Sequence, residues 1–310
     1  MKVPRSRWRK LATEKAHPGS GRLDRLGIAG TVALMQREDR RVLAALAAAR
    51  PALAAAARAF RTCFLSGGTC WLYGAGTSGR LAVLEAAELP PTFGTSPGRV
   101  RAVMAGGRAA VFRSREGAED RRAEGRRLAS AARAGDLVIG VSASSVTPFV
   151  QGALARARAR RVRTILVTAS PSPGLSRCAD IVVALDVGPE VVAGSTRLKA
   201  GTATKLALNQ ITTSAFAASG KVYGPWMVDL SAGSAKLKDR ALRIVAAASG
   251  VTLRRATELL ARAGGEVKSA VVMGRLKVGI GEARKRLQAA GGDLRTALGR
   301  SRKQGAGSRK

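Results

Sequence analysis

Histidine, aromatic residues and acids are all scarce in this chain. Its 310 residues include one histidine, His17, and three cysteines, Cys63, Cys70 and Cys178. One imidazole and three cysteines without metal or redox spacing build no His-based metal site, and they fit a reducing, cytoplasmic compartment. Aromatics make up 4% of the residues, too few for a platform on which bases stack. No uncharged apolar run reaches the roughly 18 residues that suggest a membrane span. The alanine-rich stretch 42–60 is broken by Arg50, Pro51 and Arg58. The N-terminus is basic (Lys2, Arg5, Arg7, Arg9, Lys10) but lacks the apolar run of a signal peptide. Asp and Glu number 20 against 54 Lys and Arg, a formal net charge of +34. That excess favours salt-dependent, non-specific contact with polyanions. Zinc-finger spacing, an RNP-like strand and a recognition-helix module are missing, so nucleic acid is expected only as a non-specific partner.

Hydrophobic residues are 46% of the chain, enough for a sizeable core. Two helical segments, 31–50 and 51–66, follow an irregular start. From residue 69 short apolar strands alternate with helices: strands 69–73, 100–104, 136–141, 162–167 and 181–185, helices 79–88, about 116–133, 148–160 and 201–219. This alternation predicts an α/β fold with a doubly wound parallel sheet. From about 235 the chain turns to short helices separated by Gly264-Gly265 and Gly291-Gly292. The expected organisation is an N-terminal arm with helices (1–66), a sheet domain (67–234), a C-terminal helical appendage (235–298) and a basic, disordered tail (299–310).

Gly74-Ala75-Gly76-Thr77-Ser78-Gly79-Arg80 follows the first strand and opens a helix. Glycines let backbone N–H groups approach an anion, and the helix dipole favours negative charge there. Gly76, Thr77 and Ser78 are therefore candidate phosphate-binding residues. The same run matches G-x-G-x-x-G, but a dinucleotide site needs an acid about 20 residues on, after the next strand. No Asp or Glu lies between Leu89 and Arg115, which favours a phosphosugar. A second candidate loop is Ser142-Ala143-Ser144-Ser145-Val146-Thr147 ahead of Pro148. One hydroxyl there suffices for an N-cap; four point to a ligand, so Ser142, Ser144, Ser145 and Thr147 join the candidates. Both loops fall at the carboxyl ends of parallel strands, where ligands bind. Glu88 precedes Leu89-Pro90-Pro91-Thr92, a run expected to stop its helix. Glu119 and Asp120 are expected at the start of the next helix, where a plain dipole-complementing role is equally open.

The runs 74–80 and Ala87-Glu88-Leu89-Pro90-Pro91-Thr92-Phe93-Gly94 closely resemble the N-acetylmuramic acid 6-phosphate etherase family, of the sugar isomerase (SIS) fold with flavodoxin-like layers. So do Gly117-Ala118-Glu119-Asp120, Gly188-Pro189-Glu190, the run 194–202 and Gly220-Lys221-Val222-Tyr223-Gly224. Thr13-Glu14-Lys15 with Pro18, and Gln36-Arg37-Glu38-Asp39, are similar to the family's N-terminal pieces. The likeness runs from about residue 11 to 298. It implies cleavage of the lactyl ether of N-acetylmuramic acid 6-phosphate to N-acetylglucosamine 6-phosphate and D-lactate. It also implies no metal or organic cofactor, and a homodimer. The family's two active-site glutamates map onto Glu88, as proton donor to the leaving lactate, and Glu119, as the C2 base. Departures are present. Where the family has Ser-Gly-Arg-Thr-Pro, this chain has Ser144-Ser145-Val146-Thr147-Pro148, placing a side chain where φ is expected to be positive. Leu89 stands at a common Cys, His17 at a common Asn, and Gly233-Ser234 at a common Thr-Asn. The main alternative is a non-catalytic phosphosugar-binding regulator of the glucokinase-regulatory-protein type. A SIS-type transcription regulator and a sugar isomerase are weaker ones.

Overall fold

A computed structural model describes residues 11–170, 177–230 and 234–299. The basic residues 2–10, Gly233 and the tail beyond Gly299 lie outside the described residues. The chain divides into two compact units, one of residues 1–87 and 97–214, the other of residues 88–96 and 215–310.

The first unit begins with three short 3-10 turns, Ala12–Glu14, Pro18–Ser20 and Leu23–Arg25. Helices α1 (Gly27–Ala48) and α2 (Arg50–Leu65) follow. Then come β1 (Cys70–Gly74), α3 (Gly76–Phe93), β2 (Val100–Met104), α4 (Arg122–Ala129) and β3 (Leu137–Val141). After them run α5 (Pro148–Ala159), β4 (Arg163–Thr168), β5 (Ile181–Ala184) and α6 (Lys199–Ala218). The strands form one five-stranded sheet in the order β2-β1-β3-β4-β5, every pair parallel. The sheet is wound on both faces. Cys70 Sγ meets Cys63 of α2 at 3.5 Å. Tyr73, three residues on and so on the opposite face, packs on Phe149 of α5 with ring centroids 6.2 Å apart. The order reverses between β1 and β3, the switch point where α/β sheets open a crevice. Gly74 is level with Val141 in the register, so the glycine turn and the hydroxyl loop leave the sheet side by side.

No single helix among the described residues is long and apolar enough to cross a membrane. Helices α1 and α2 pass a length and composition test only as a pair bent by 63°. Their buried residues, including Leu34, Val42, Leu53 and Phe60, belong to the core.

Two expectations need correcting. Pro90-Pro91 does not stop α3, which continues to Phe93. Proline's fixed φ is compatible with a helix, and near the end of one few ladder bonds are forfeited. The Thr92 hydroxyl donates to the Glu88 carbonyl (2.8 Å), and Gly94 N–H closes on Pro90 O (2.9 Å). Gly94, at φ +59°, ends the helix. A Cβ there would lie 2.3 Å from the Asp229 carbonyl oxygen, so only glycine fits. The second correction concerns α4, which begins at Arg122 rather than near 116. Glu119 and Asp120 lie in the turn ahead of it. The Glu119 carbonyl accepts from Phe149 N–H at the start of α5 (2.9 Å) instead of joining a helical ladder.

The second unit holds the end of α3 from Glu88. It adds a short hairpin, β6 (Val222–Tyr223) and β7 (Trp226–Met227), absent from the sequence reading. Helices α7 (Ala235–Ser249), α8 (Leu253–Arg262), α9 (Val267–Leu276), α10 (Ile280–Ala289) and α11 (Leu294–Ala297) complete it. Thr252 caps α8, accepting from Arg255 N–H at 3.3 Å, as its position in the sequence predicts. Ile244, Val245, Leu259, Val271 and Met273 centre the core of this unit. Lys268 Nζ donates to Asp229 Oδ2 (2.8 Å) and to Gly292 O (2.7 Å).

Candidate active site

The first wall of the site is the turn after β1. Gly74 and Gly79 are pressed together across it. A Cβ on Gly74 would lie 2.6 Å from Gly79 N, and one on Gly79 would lie 2.8 Å from Gly74 O. Helix α3 therefore starts tight against its strand. Gly79 N–H bonds back to Ala75 O (3.2 Å). The amides of Gly76, Thr77 and Ser78 lie ahead of that first bond, where a helix has no internal acceptors. Gly76 is exposed, and Thr77 and Ser78 are half-buried. Arg80 donates to Val111 O (2.8 Å) and Ala110 O (3.0 Å), tying α3 to the loop after β2.

The second wall is the loop after β3. Ser142 and Ser145 are buried. The Ser142 and Thr147 hydroxyls lie 2.8 Å apart, and Ser145 Oγ donates to Ser144 O. Thr147 makes no side-chain cap on α5. Ser145 has φ +66°, the conformation expected where the family has glycine. A side chain in the left-handed region costs energy. We expect Ser145→Gly to stabilise the fold by about 1 kcal/mol, read as a higher urea midpoint.

Glu119 stands between these walls. It lines a cavity of about 190 Å³ together with Gly76, Arg80, Arg115 and Glu116. It also lines a cavity of about 340 Å³ with Glu14, Asp120, Ser144, Val146 and Thr147. Its backbone is pinned to the start of α5 by the bond to Phe149. Partial burial, then the carboxylates of Asp120 and Glu116, push its carboxyl above the ordinary carboxylate range. A carboxylate with a raised pKa is a stronger base, suited to taking a carbon-bound proton. Glu88 lines neither cavity. It is exposed near the end of α3, in the second unit. Among the described residues, no three His, Cys, Asp or Glu converge as a set able to hold a metal ion.

Sequence reading passed over Glu14 as a site residue, although it sits in a run quoted for the resemblance. It also left no role for the buried charges that brace the site's scaffold. Lys199 Nζ donates to Glu38 Oε2 and to Pro189 O, both at 2.8 Å. Glu38 Oε2 also lies 2.9 Å from His17 Nε2 and 3.0 Å from Arg41 Nε. Glu190 accepts from the Lys199 and Ala200 amides (3.1 and 2.8 Å), capping α6. Burial alone would raise the Glu38 pKa; the Lys199 ammonium and His17 overcome it and hold the carboxyl below its ordinary value. The runs 36–39, 188–190 and 194–202 meet in this cluster.

A protein of Rubrobacter xylanophilus named N-acetylmuramic acid 6-phosphate etherase is 48% identical over 296 residues, covering 95% of this chain and 98% of that protein. This chain belongs to the N-acetylmuramic acid 6-phosphate etherase family. A second etherase, from Gloeobacter violaceus, is 46% identical over 294 residues, covering 93% of this chain and 95% of its own. Residues 55–158 match the glucokinase regulatory protein N-terminal SIS domain, and residues 122–214 match the SIS domain. Among solved structures, a phosphoheptose isomerase from Francisella tularensis aligns with TM-score 0.48 at 17% identity, covering 60% of this chain and 96% of that one. With membership in the etherase family, Glu119 takes on a specific meaning. It is one of the two acids that the resemblance singles out, and it lines both cavities, beside the glycine turn and the hydroxyl loop.

Proposed function

We propose that this protein cleaves the D-lactyl ether of N-acetylmuramic acid 6-phosphate, giving N-acetylglucosamine 6-phosphate and D-lactate in cell-wall amino-sugar recycling. The observation that carries the reading is full-length similarity to etherases combined with Glu119 lining both cavities. In the open-chain sugar the C2 proton is acidified by the neighbouring aldehyde. Glu119 takes that proton, the C3–O bond breaks, and Glu88 protonates the departing lactate oxygen. Water then adds at C3 of the unsaturated aldehyde, its proton going to a carboxylate, and C2 is reprotonated. Each acid–base group contributes about 10²–10⁴-fold.

The amides of Gly76, Thr77 and Ser78 at the open end of α3, with Arg115 across the smaller cavity, suit a phosphate; the Ser144 and Thr147 hydroxyls, in the larger cavity, suit the sugar that carries it. Ser142 and Ser145 shape the loop from within. The chemistry asks for no metal or organic cofactor. We assign the reaction to the cytoplasm, because a sugar phosphate is too strongly charged to cross a membrane unaided. We also propose a homodimer in which a second copy completes each site. Exposed Ile28 and Val32, one turn apart on α1, offer apolar surface for it.

The assay is release of D-lactate from N-acetylmuramic acid 6-phosphate by purified protein. One lactate per N-acetylglucosamine 6-phosphate is expected. Tight binding of sugar phosphate without any lactate would instead establish the regulator reading, which the match over residues 55–158 also accommodates.

A further inference from the structure

The larger cavity is acidic, and its composition says which part of a sugar phosphate it takes. Besides Glu119 it is lined by Asp120 and by Glu14, which comes from the N-terminal turn Ala12–Glu14. That turn is fixed to the body of the first unit. Thr13 is buried, and its carbonyl accepts from Gly194 N–H at 2.9 Å. Glu14 Oε2 rests over Gly194, where a Cβ would touch it at 3.5 Å. Three residues later, buried His17 meets Glu38 at 2.9 Å. Glu14 itself is exposed to the cavity, and its only side-chain hydrogen bond among the described residues is a long one, 3.4 Å, from the Thr13 hydroxyl.

An ionised carboxylate accepts hydrogen bonds and donates none. Three carboxylates round one cavity repel a phosphate or a lactyl carboxylate, so their natural partners are neutral donors. The smaller cavity, by contrast, carries Arg115 and the open end of α3. We propose that Glu14 is a specificity-determining residue: its carboxylate accepts a hydrogen bond from a sugar hydroxyl or acetamido N–H, and it keeps the anionic ends of the substrate out of the Glu14 side of the cavity. The sugar is thereby oriented, with phosphate toward the glycine turn and neutral donors toward the N-terminal turn. This inference rests on the etherase reading for the identity of the sugar, but its test reads binding rather than turnover.

The test compares wild type with Glu14→Ala and Glu14→Gln, titrating N-acetylglucosamine 6-phosphate and, separately, inorganic phosphate. Hydrogen bonds to charged groups carry enough energy that Glu14→Ala is expected to weaken sugar-phosphate binding by about tenfold or more. Glu14→Gln keeps an acceptor oxygen and is expected to lose less. Phosphate affinity is expected to hold or improve in both, because a nearby negative charge has gone. The thermal midpoint is expected to stay put, since Glu14 is exposed. Sugar-phosphate affinity within twofold of wild type in Glu14→Ala would overturn the proposal. So would a parallel loss of phosphate affinity, which would mean a collapsed loop rather than a lost sugar contact. Lactate release by the wild type reads the etherase reaction separately. Its absence alongside the predicted affinity pattern would sink the reaction and leave the Glu14 contact standing.

Discussion

Glu119→Gln is expected to lower kcat for lactate release by about 10²–10⁴-fold, the usual share of one acid–base group. Sugar-phosphate binding should stay within a few-fold, because the amide keeps the shape of the carboxyl. The backbone bond from Phe149 N–H to residue 119 does not involve the side chain, so the loop should persist. Glu88→Gln should behave alike. The pH profile adds a check on the base. Burial first, then Asp120 and Glu116, raise the Glu119 pKa, and a base works only when deprotonated. Activity should therefore rise with pH through that raised value. Asp120→Asn removes one of the raising charges, so the acid limb should move to lower pH. Wild-type turnover in Glu119→Gln would remove this residue from the mechanism.

The largest expected loss of stability comes from Lys199→Met. Lys199 is 2% exposed and its ammonium bonds Glu38, itself 6% exposed. Removing one partner of a buried pair typically costs about 3–5 kcal/mol, because the other charge is left behind. The thermal midpoint should fall by several degrees, and the backbone around residues 17, 38 and 190 should lose hydrogen-exchange protection. The pH dependence has a definite sign. The Glu38 pKa is depressed in the fold, so its stabilising effect is complete above the ordinary Glu value and fades as pH falls toward the depressed one. In Lys199→Met that carboxylate has lost its ammonium. Acid protonates it with less loss, and the gap between variant and wild type should narrow below about pH 4.3, the ordinary Glu value. An equal gap at every pH would show that Lys199 matters for packing rather than charge.

Much of the sheet could be read directly, because strand and helix periods alternate cleanly from residue 69. The positions of the two loops follow from that alternation: loops after parallel strands emerge at one edge. The positive φ at Ser145 was legible only through the resemblance, since nothing in a serine announces it. Proline's local effect alone makes Pro90-Pro91 read as a stop; the Thr92 hydroxyl bond to Glu88 O and the Gly94 close on Pro90 O belong to a helix that runs on to Phe93. Glu119 was expected in a helix because acids favour first turns; a long-range bond to Phe149 fixes it in a turn instead. The Glu38–Lys199 pair, 161 residues apart in sequence, and the approach of Glu14 to the Ser144 loop are products of tertiary structure. No local pattern encodes either. The β6–β7 hairpin has two residues per strand, too short for a period-2 signal.

Helix α3 opens in one unit with the glycine turn and closes in the other with Glu88. The C-terminal helices show no chemistry of their own in the sequence. Yet Phe216 stacks on Phe93 at 4.6 Å, and the Asp229 carbonyl leaves no space for a side chain at residue 94. The segment bearing the proposed proton donor is thus shaped by residues more than 120 positions downstream. Selection for activity would then extend into helices that line neither cavity. Inactivating changes there need not touch the sheet.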